Sequence, residues 1–239
     1  MSKGNLLSIK NRIKSAQSIF SLAKSLELVS SSKFRSLKKK QEANLKMKEV
    51  AKDFFNKIPF ITKGEDVAIV VGSDNSLCGG FNNSVFKASS AFSAPIVLGK
   101  KLQKMYTAKN IAHKTKLDID DLFVKLLNGK VGSVVMIYNT YSESKIKLIK
   151  ELILPLEFEI NEYEQEYDFK SSLRLYLSMV IDVNLNLSGI AENYSRMVAM
   201  KNASDNSEEL VSSLSKKYNK GRQYLITKDM MEIAGGLDE

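Results

Sequence analysis

Two stretches at opposite ends of this 239-residue chain carry the same apolar beat, and their length leaves few folds open. From Tyr167 to Ile233 one helix is expected, with Tyr176, Val180, Val183, Leu187, Ile190, Tyr194 and Met197 following alternating steps of four and three. That spacing is the seam of a coiled coil, in which two helices supercoil to keep one stripe against a partner. At about 1.5 Å per residue the helix runs roughly 100 Å, too long for a small core to cover. Near the N-terminus Ile9, Ile13, Ala16, Phe20 and Ala23 repeat the beat, and Phe34 and Leu37 resume it, with Glu27 and Ser30 on the seam between them. No proline or glycine interrupts the run from Asn5 to Lys57. Asn5 is the expected cap, its side chain taking an orphan amide of the first turn. Long helices at both termini predict an antiparallel pair closed by an inserted domain.

Small residues recur on these helices. Ala191, Ser195, Ala199, Ala203 and Ser207 form one ridge, and Ala16, Ala23 and Ser30 to Ser32 are comparably small on the first helix. Backbones that approach this closely make a thin rod, which buries less apolar area per turn than a leucine-rich one. Such a rod gains from enclosure by another protein. An ordinary helical bundle with an alanine-rich contact fits the same residues.

Between the helices the pattern changes. Asp66 to Gly72 reads as a buried strand, Phe81 to Phe92 as a helix, Ala94 to Gly99 as a second strand and Lys100 to Lys109 as a second helix. Asp118 or Asp120 is expected to cap a helix through Leu127, with Asn128-Gly129 ending it. Val131 to Tyr141 and Lys145 to Leu156 complete four strands. The expected fold is thus α/β with a long antiparallel coiled coil: residues 1–58 and 167–239 form the paired helices, and 61–166 a small, mainly parallel α/β layer.

The layer invites a search for enzymatic chemistry, and little is found. The loop Gly72 to Gly80 follows a strand and precedes a helix, where phosphate cradles sit, but it lacks the glycine spacing of a dinucleotide fingerprint and the Lys-Ser or Lys-Thr of a P-loop. His113 is the only histidine and has no metal-ligand spacing around it. A nucleophilic Cys78 needs a histidine or a strong helix dipole to lower its pKa, and neither is indicated. No catalytic residue, cofactor or metal is expected.

Composition narrows the rest. A hydrophobic content of 44% with 26% charged residues is ordinary for a folded domain, and no apolar run reaches the roughly 18 residues of a membrane span. No signal peptide is expected, and the single cysteine suits a reducing compartment. A net charge of +9 favours an acidic neighbour. Lys33, Arg35, Lys38, Lys39, Lys40, Lys46 and Lys48 are the densest charge feature, and on a helix they wrap around most of the surface. A solvated face, an acidic protein partner or a nucleic-acid stripe all fit, although Phe34 alone is available for base stacking.

Four segments, in order, carry a resemblance. Ala191-Glu192-Asn193-Tyr194-Ser195-Arg196-Met197-Val198-Ala199-Met200-Lys201-Asn202-Ala203-Ser204-Asp205-Asn206-Ser207 closely resembles the hallmark stretch of the gamma subunit of rotary F-type ATP synthases. Ile9 to Ser15 with Lys24 to Arg35 resembles that family's first helix, Ser73 to Asn82 its loop after the first central strand, and Tyr218 to Gln223 with Ile226 to Ile233 its C-terminal signature. The resemblance implies a non-catalytic rotor whose helices stand in the bore of a ring of alpha and beta subunits. Its α/β layer would sit with the epsilon subunit on a membrane c-ring, on the inner face of an energy-coupling membrane, with no nucleic acid bound. It further implies that Lys33 and Arg35 face acidic loops of the beta subunits, that Arg222 and Gln223 hydrogen-bond a loop inside the bore, and that Cys78 serves a contact. A coiled-coil nucleic-acid-binding or scaffold protein is the alternative. Asp229 stands where the family usually has glutamate, Gly221 where it has alanine, and the middle domain is short after Asn82.

Overall fold

The computed structural model describes residues 3–55, 64–154 and 169–235. Helix α1 spans Lys3–Phe55 and α5 spans Phe169–Gly235. Asn5 therefore lies inside the first turn of α1 and not ahead of it. Between the two helices come β1 (Glu65–Val71), α2 (Phe81–Ala88), β2 (Ile96–Leu98), α3 (Lys100–Ala108), α4 (Ile119–Leu127), β3 (Val131–Ser142) and β4 (Lys145–Leu154).

Chain contacts divide the molecule into two compact units, residues 30–196 in one and 1–29 with 197–239 in the other. In the larger unit one sheet has the order β2-β1-β3-β4, with β1 parallel to β2 and β3, and β4 antiparallel to β3. The run Val67-Ala68-Ile69-Val70-Val71 is apolar throughout because β1 lies inside the sheet with both faces covered. On one face Ile69, Val134, Met136 and Tyr138 pack with Tyr176, Leu177, Val180, Ile181, Val183 and Leu187 of α5. On the other, Ala68, Val70, Val135 and Ile137 pack with Val85 of α2 and with Leu102 and Tyr106 of α3.

Two expected elements are shorter than read. The first central helix ends at Ala88, and β2 pairs only from Ile96, because Ala94 has a φ of 47° and Pro95 has no N–H to give. Asp118, not Asp120, caps α4, its Oδ1 accepting from the amides of Asp120 at 3.0 Å and Asp121 at 3.1 Å. Gly129 follows that helix with a φ of 65°, the left-handed stop that Asn128-Gly129 predicts. Asp118→Ala is expected to cost about 1 kcal/mol, measured as a lower midpoint in urea denaturation.

In the larger unit α1 and α5 run antiparallel: Phe34 stacks on Tyr194, Leu37 lies 3.6 Å from where Gly189 would carry a Cβ, and Lys48 reaches Asn184. In the smaller unit Ile9 lines a groove with Lys217, Lys220, Gly221 and Tyr224, whereas Ala16 and Ile19 line one with Leu210 and Leu214, which is again antiparallel. Ile9, Ala16, Ala23 and Ser30 are buried seven residues apart along α1, as a heptad requires.

Candidate functional site

The loop between β1 and α2 is built from its own side chains. Ser73 is fully buried, and its amide donates to Asn82 Oδ1 at 2.9 Å while Asn82 Nδ2 donates to Ser73 Oγ at 2.8 Å. Ser73 Oγ also donates to the Asn75 carbonyl at 2.9 Å, closing the loop on itself. Cys78 is 3% exposed, its sulfur 3.3 Å from Ser73 Oγ, and it packs with Phe81 and Ala191. The Cys78 side chain therefore offers no surface. The loop presents Asp74, Asn75, Ser76 and Leu77, the last half-exposed at 52% with a φ of 66°.

Helix α5 mounts this loop. Ser195 Oγ donates to the Cys78 carbonyl at 2.6 Å, and Arg196 donates to the carbonyls of Ser76 at 3.3 Å and Asn75 at 3.4 Å. Arg196 is itself buried and paired with Glu192 one turn earlier. The stretch around Arg196 thus acts on the loop, a role that spacing alone did not assign.

Lys33 and Arg35 are exposed on α1, on either side of Phe34. Phe34 turns inward and packs edge-on against Tyr141 of β3, with Tyr194 of α5 completing the cluster. Tyr194 donates its hydroxyl to the Ser144 carbonyl at 2.9 Å, tying the β3–β4 turn to α5. Lys38 caps the cluster, its ammonium 5.3 Å from the Tyr141 ring centre.

The basic run is not one surface. Lys48 is 7% exposed, and its ammonium donates to Glu151 Oε2 at 2.6 Å and to Asn184 Oδ1 at 2.7 Å. Lys52 takes the other carboxylate oxygen at 2.6 Å, and Tyr138 donates its hydroxyl to Oε2 at 3.0 Å. A signal for this lay in the beat: carried past Leu37, the four-three steps place Gln41, Asn44, Lys48 and Ala51 on the seam. Burial pushes the Glu151 carboxyl up, but hydrogen bonds and charge from Lys48 and Lys52 outweigh it and hold the group at about 2. Burial lowers the Lys48 ammonium, against the pull of Glu151, which offsets part of the gain. Because the carboxyl is depressed on folding, its contribution is present above about pH 4.5 and fades as pH falls toward about 2. That contribution is at most on the order of 3 kcal/mol. Melting temperature is expected to drop across this window, and Glu151→Gln to flatten the drop.

In the smaller unit Ile9, Ala16, Ala23, Met200, Ser204, Ser207 and Leu214 are buried, while Ile13, Phe20 and Met197 are half-buried. In the larger, Val180 and Leu187 are buried and Tyr194 is half-buried. Outside this seam the smaller unit is unusually apolar. Leu7, Ile19, Leu22, Leu28 and Val29 are more than half exposed on α1, as are Tyr224, Met230, Met231 and Ile233 on α5. Arg222 and Gln223 are exposed beside them, and a groove of about 580 Å³ runs between Leu7, Arg12, Ile19, Leu210 and Leu214. Exposed apolar side chains recurring along both helices fit a surface that a partner covers. Among the described residues no helix is long and apolar enough to cross a membrane.

A family model described as ATP synthase matches residues 5–238. The chain belongs to the ATP synthase gamma-chain family. The gamma chain of Clostridium kluyveri is 28% identical over 281 aligned positions, covering 100% of this chain and 99% of that one. The gamma chain of Stenotrophomonas maltophilia is 26% identical, covering 95% and 96%. A chain in the OSCP/F1/c-ring structure of the Euglena gracilis mitochondrial ATP synthase superposes with a TM-score of 0.72 at 16% identity, covering 99% of this chain and 94% of that one. Gamma-chain membership accounts for two long terminal helices with a small mixed sheet between them.

Proposed function

We propose that this chain is the central-stalk rotor of an F-type ATP synthase, carrying rotation of a membrane c-ring to the catalytic beta subunits. The observation that carries this reading is the family match along almost the whole chain, joined to helix surfaces whose exposed apolar residues call for a surrounding sleeve. A shaft shifts the equilibria of surrounding sites only by contacting their states differently, so asymmetry matters more than tight binding. Two unlike helices and one laterally mounted loop supply that asymmetry.

In this reading the paired terminal helices, residues 1–58 and 167–239, form the shaft, and the layer at 61–166 is its base, facing the epsilon subunit and the c-ring. The chain itself is non-catalytic and is held at the inner face of an energy-coupling membrane by its complex. Lys33 and Arg35 face acidic loops of the beta subunits. Arg222 and Gln223 meet a loop inside the bore, where a planar guanidinium fork suits backbone and carboxylate acceptors. At the Cys78 loop the contact passes to Leu77, since the sulfur is buried.

A tagged pull-down from gently solubilised membranes tests the reading. About one chain per ATPase head, with alpha, beta and epsilon subunits, is the expected result, and ATPase coupling should depend on its presence. Recovery of nucleic acid without ATPase subunits, weakened when Lys38, Lys39 and Lys40 are neutralised, would establish the alternative. Arg222→Glu is expected to lower coupled ATP synthesis about tenfold, since reversing a partner-facing charge typically costs well over 1 kcal/mol.

A further inference from the structure

One polar knot of the larger unit joins four elements through a single side chain. Glu151 sits on β4, at the edge of the sheet. Its carboxylate takes Lys48 on one oxygen and Lys52 on the other, each at 2.6 Å, both from α1. The same group accepts from Asn184 of α5 at 3.1 Å and from Tyr138 of β3 at 3.0 Å. Lys48 and Asn184 are bonded to each other as well, at 2.7 Å, so α1 and α5 are linked directly. Glu151 keeps only 12% of its side chain exposed and Lys48 only 9%.

Lys48 occupies a position on the apolar beat, where a leucine would fit the seam. Hydrophobic replacement of a buried ion pair is often neutral or stabilising, so stability alone does not account for a lysine there. What a charged residue on a seam supplies is register: it fixes one axial and rotational setting of the helix. Apolar contacts such as those of Ala51 and Leu37 resist separation but have no preferred direction. Charge-assisted hydrogen bonds with two oxygens and two lysines are directional, and they oppose sliding and rolling of α1 over the sheet.

We infer that Glu151, with Lys48, Lys52 and Asn184, is the clamp through which the α/β layer drives the two long helices without slip. Glu151 is a positioning residue for rotary coupling, and the assignment rests on the rotor reading above. A clamp of this kind matters in proportion to load. When the head hydrolyses ATP without opposing force, little torque crosses the knot; when the complex pumps against a gradient, the knot shares the full load with the apolar contacts around it.

The test uses the assembled complex in sealed vesicles, with parent chain, Glu151→Gln or Lys52→Gln. ATP hydrolysis is measured with the gradient collapsed, and the steady-state ion gradient with the vesicles sealed. The expected result is hydrolysis near the parent rate, with a gradient per ATP hydrolysed that falls about twofold or more in Glu151→Gln, since a broken buried pair leaves a lysine unmatched. Lys52→Gln should show a smaller fall of the same kind. Should Glu151→Gln reduce the amount of chain in the complex, Lys52→Gln decides alone, its partner Lys48 remaining to hold the carboxylate. An unchanged gradient per ATP in the assembled variants, even with a lower melting temperature, overturns the clamp and leaves a structural ion pair. A parent complex that hydrolyses ATP but builds no gradient overturns the rotor reading, and the clamp with it.

Discussion

Gly99→Ala is expected to destabilise the α/β layer by about 4 kcal/mol, lowering the melting temperature of the whole chain by roughly 10 °C. Gly99 sits between β2 and α3 with φ 99° and ψ 114°, a region that residues with a side chain rarely enter. An added Cβ would lie 2.5 Å from both the carbon and the oxygen of the Gly72 carbonyl. Those atoms cannot give way easily, because the Gly72 amide donates to Leu98 at 2.8 Å and Lys101 donates to Ser73 at 3.0 Å. Strain and overlap therefore add, each at about 1–3 kcal/mol. Gly80→Ala is the control: its φ is −80°, and a Cβ there meets nothing within 4 Å. A differential scan of the two variants should show a large shift for Gly99 and almost none for Gly80. Equal shifts would mean that the close approach of the two loops is not what holds them.

The second large effect is expected at Arg196. Arg196→Met keeps the volume of the side chain but removes every hydrogen bond it gives. Glu192 then loses its partner while only 18% of its side chain is exposed, and the carbonyls of Asn75 and Ser76 lose their donor. Breaking a buried pair from one side costs about 3–5 kcal/mol, and the residual exposure of Glu192 points to the lower end. The consequence is local as well as global. Ser195 still holds the Cys78 carbonyl, so the loop keeps one tether at its base and loses those at its tip. Hydrogen exchange at Asn75, Ser76 and Leu77 should rise by more than the global loss explains, while Val70 and Ile137 follow global stability alone. Within the rotor reading, Leu77 would then meet its neighbour from a slack mount, and coupling should fall further than ATP hydrolysis.

Much of this architecture was legible because its signals are periodic or local. The four-three beat through Val180, Leu187 and Tyr194 marked α5, a helix over Phe169–Gly235, while the expected start at Tyr167 lies outside the described residues. Asp118 and Gly129 marked the limits of α4 through the capping groups a helix requires. What stayed hidden depended on pairing across long sequence separations. The β3–β4 hairpin turns at Glu143 and Ser144 with φ values of 51° and 60°, in a conformation usually written with asparagine and glycine. That punctuation is missing, and only the three residues between Tyr141 and Lys145, too few for a crossover, marked β4 as antiparallel to β3. Cys78 looked available because it lies in an otherwise polar loop, and only the fold reveals Ala191 and Phe81 closing over it. Lys48 was read with the surface lysines because composition groups charges by neighbourhood in sequence, whereas its fate is decided by Glu151, 103 residues away.

The sparing interior of the smaller unit has a consequence for how the chain lives before it is assembled. Ala16, Ala23, Ser204 and Ser207 remove little oily area from water, and the described residues of that unit are all helical. Helices held so lightly are expected to open more readily than the sheet core, and each opening offers extended backbone to a protease. On the rotor reading, a newly made copy is expected to be short-lived until partner subunits close around it. Supply in excess of rings would be cleared without any dedicated regulator. The number of shafts in the cell would then follow the number of heads, set by degradation of the uncaptured copies and not by matched synthesis.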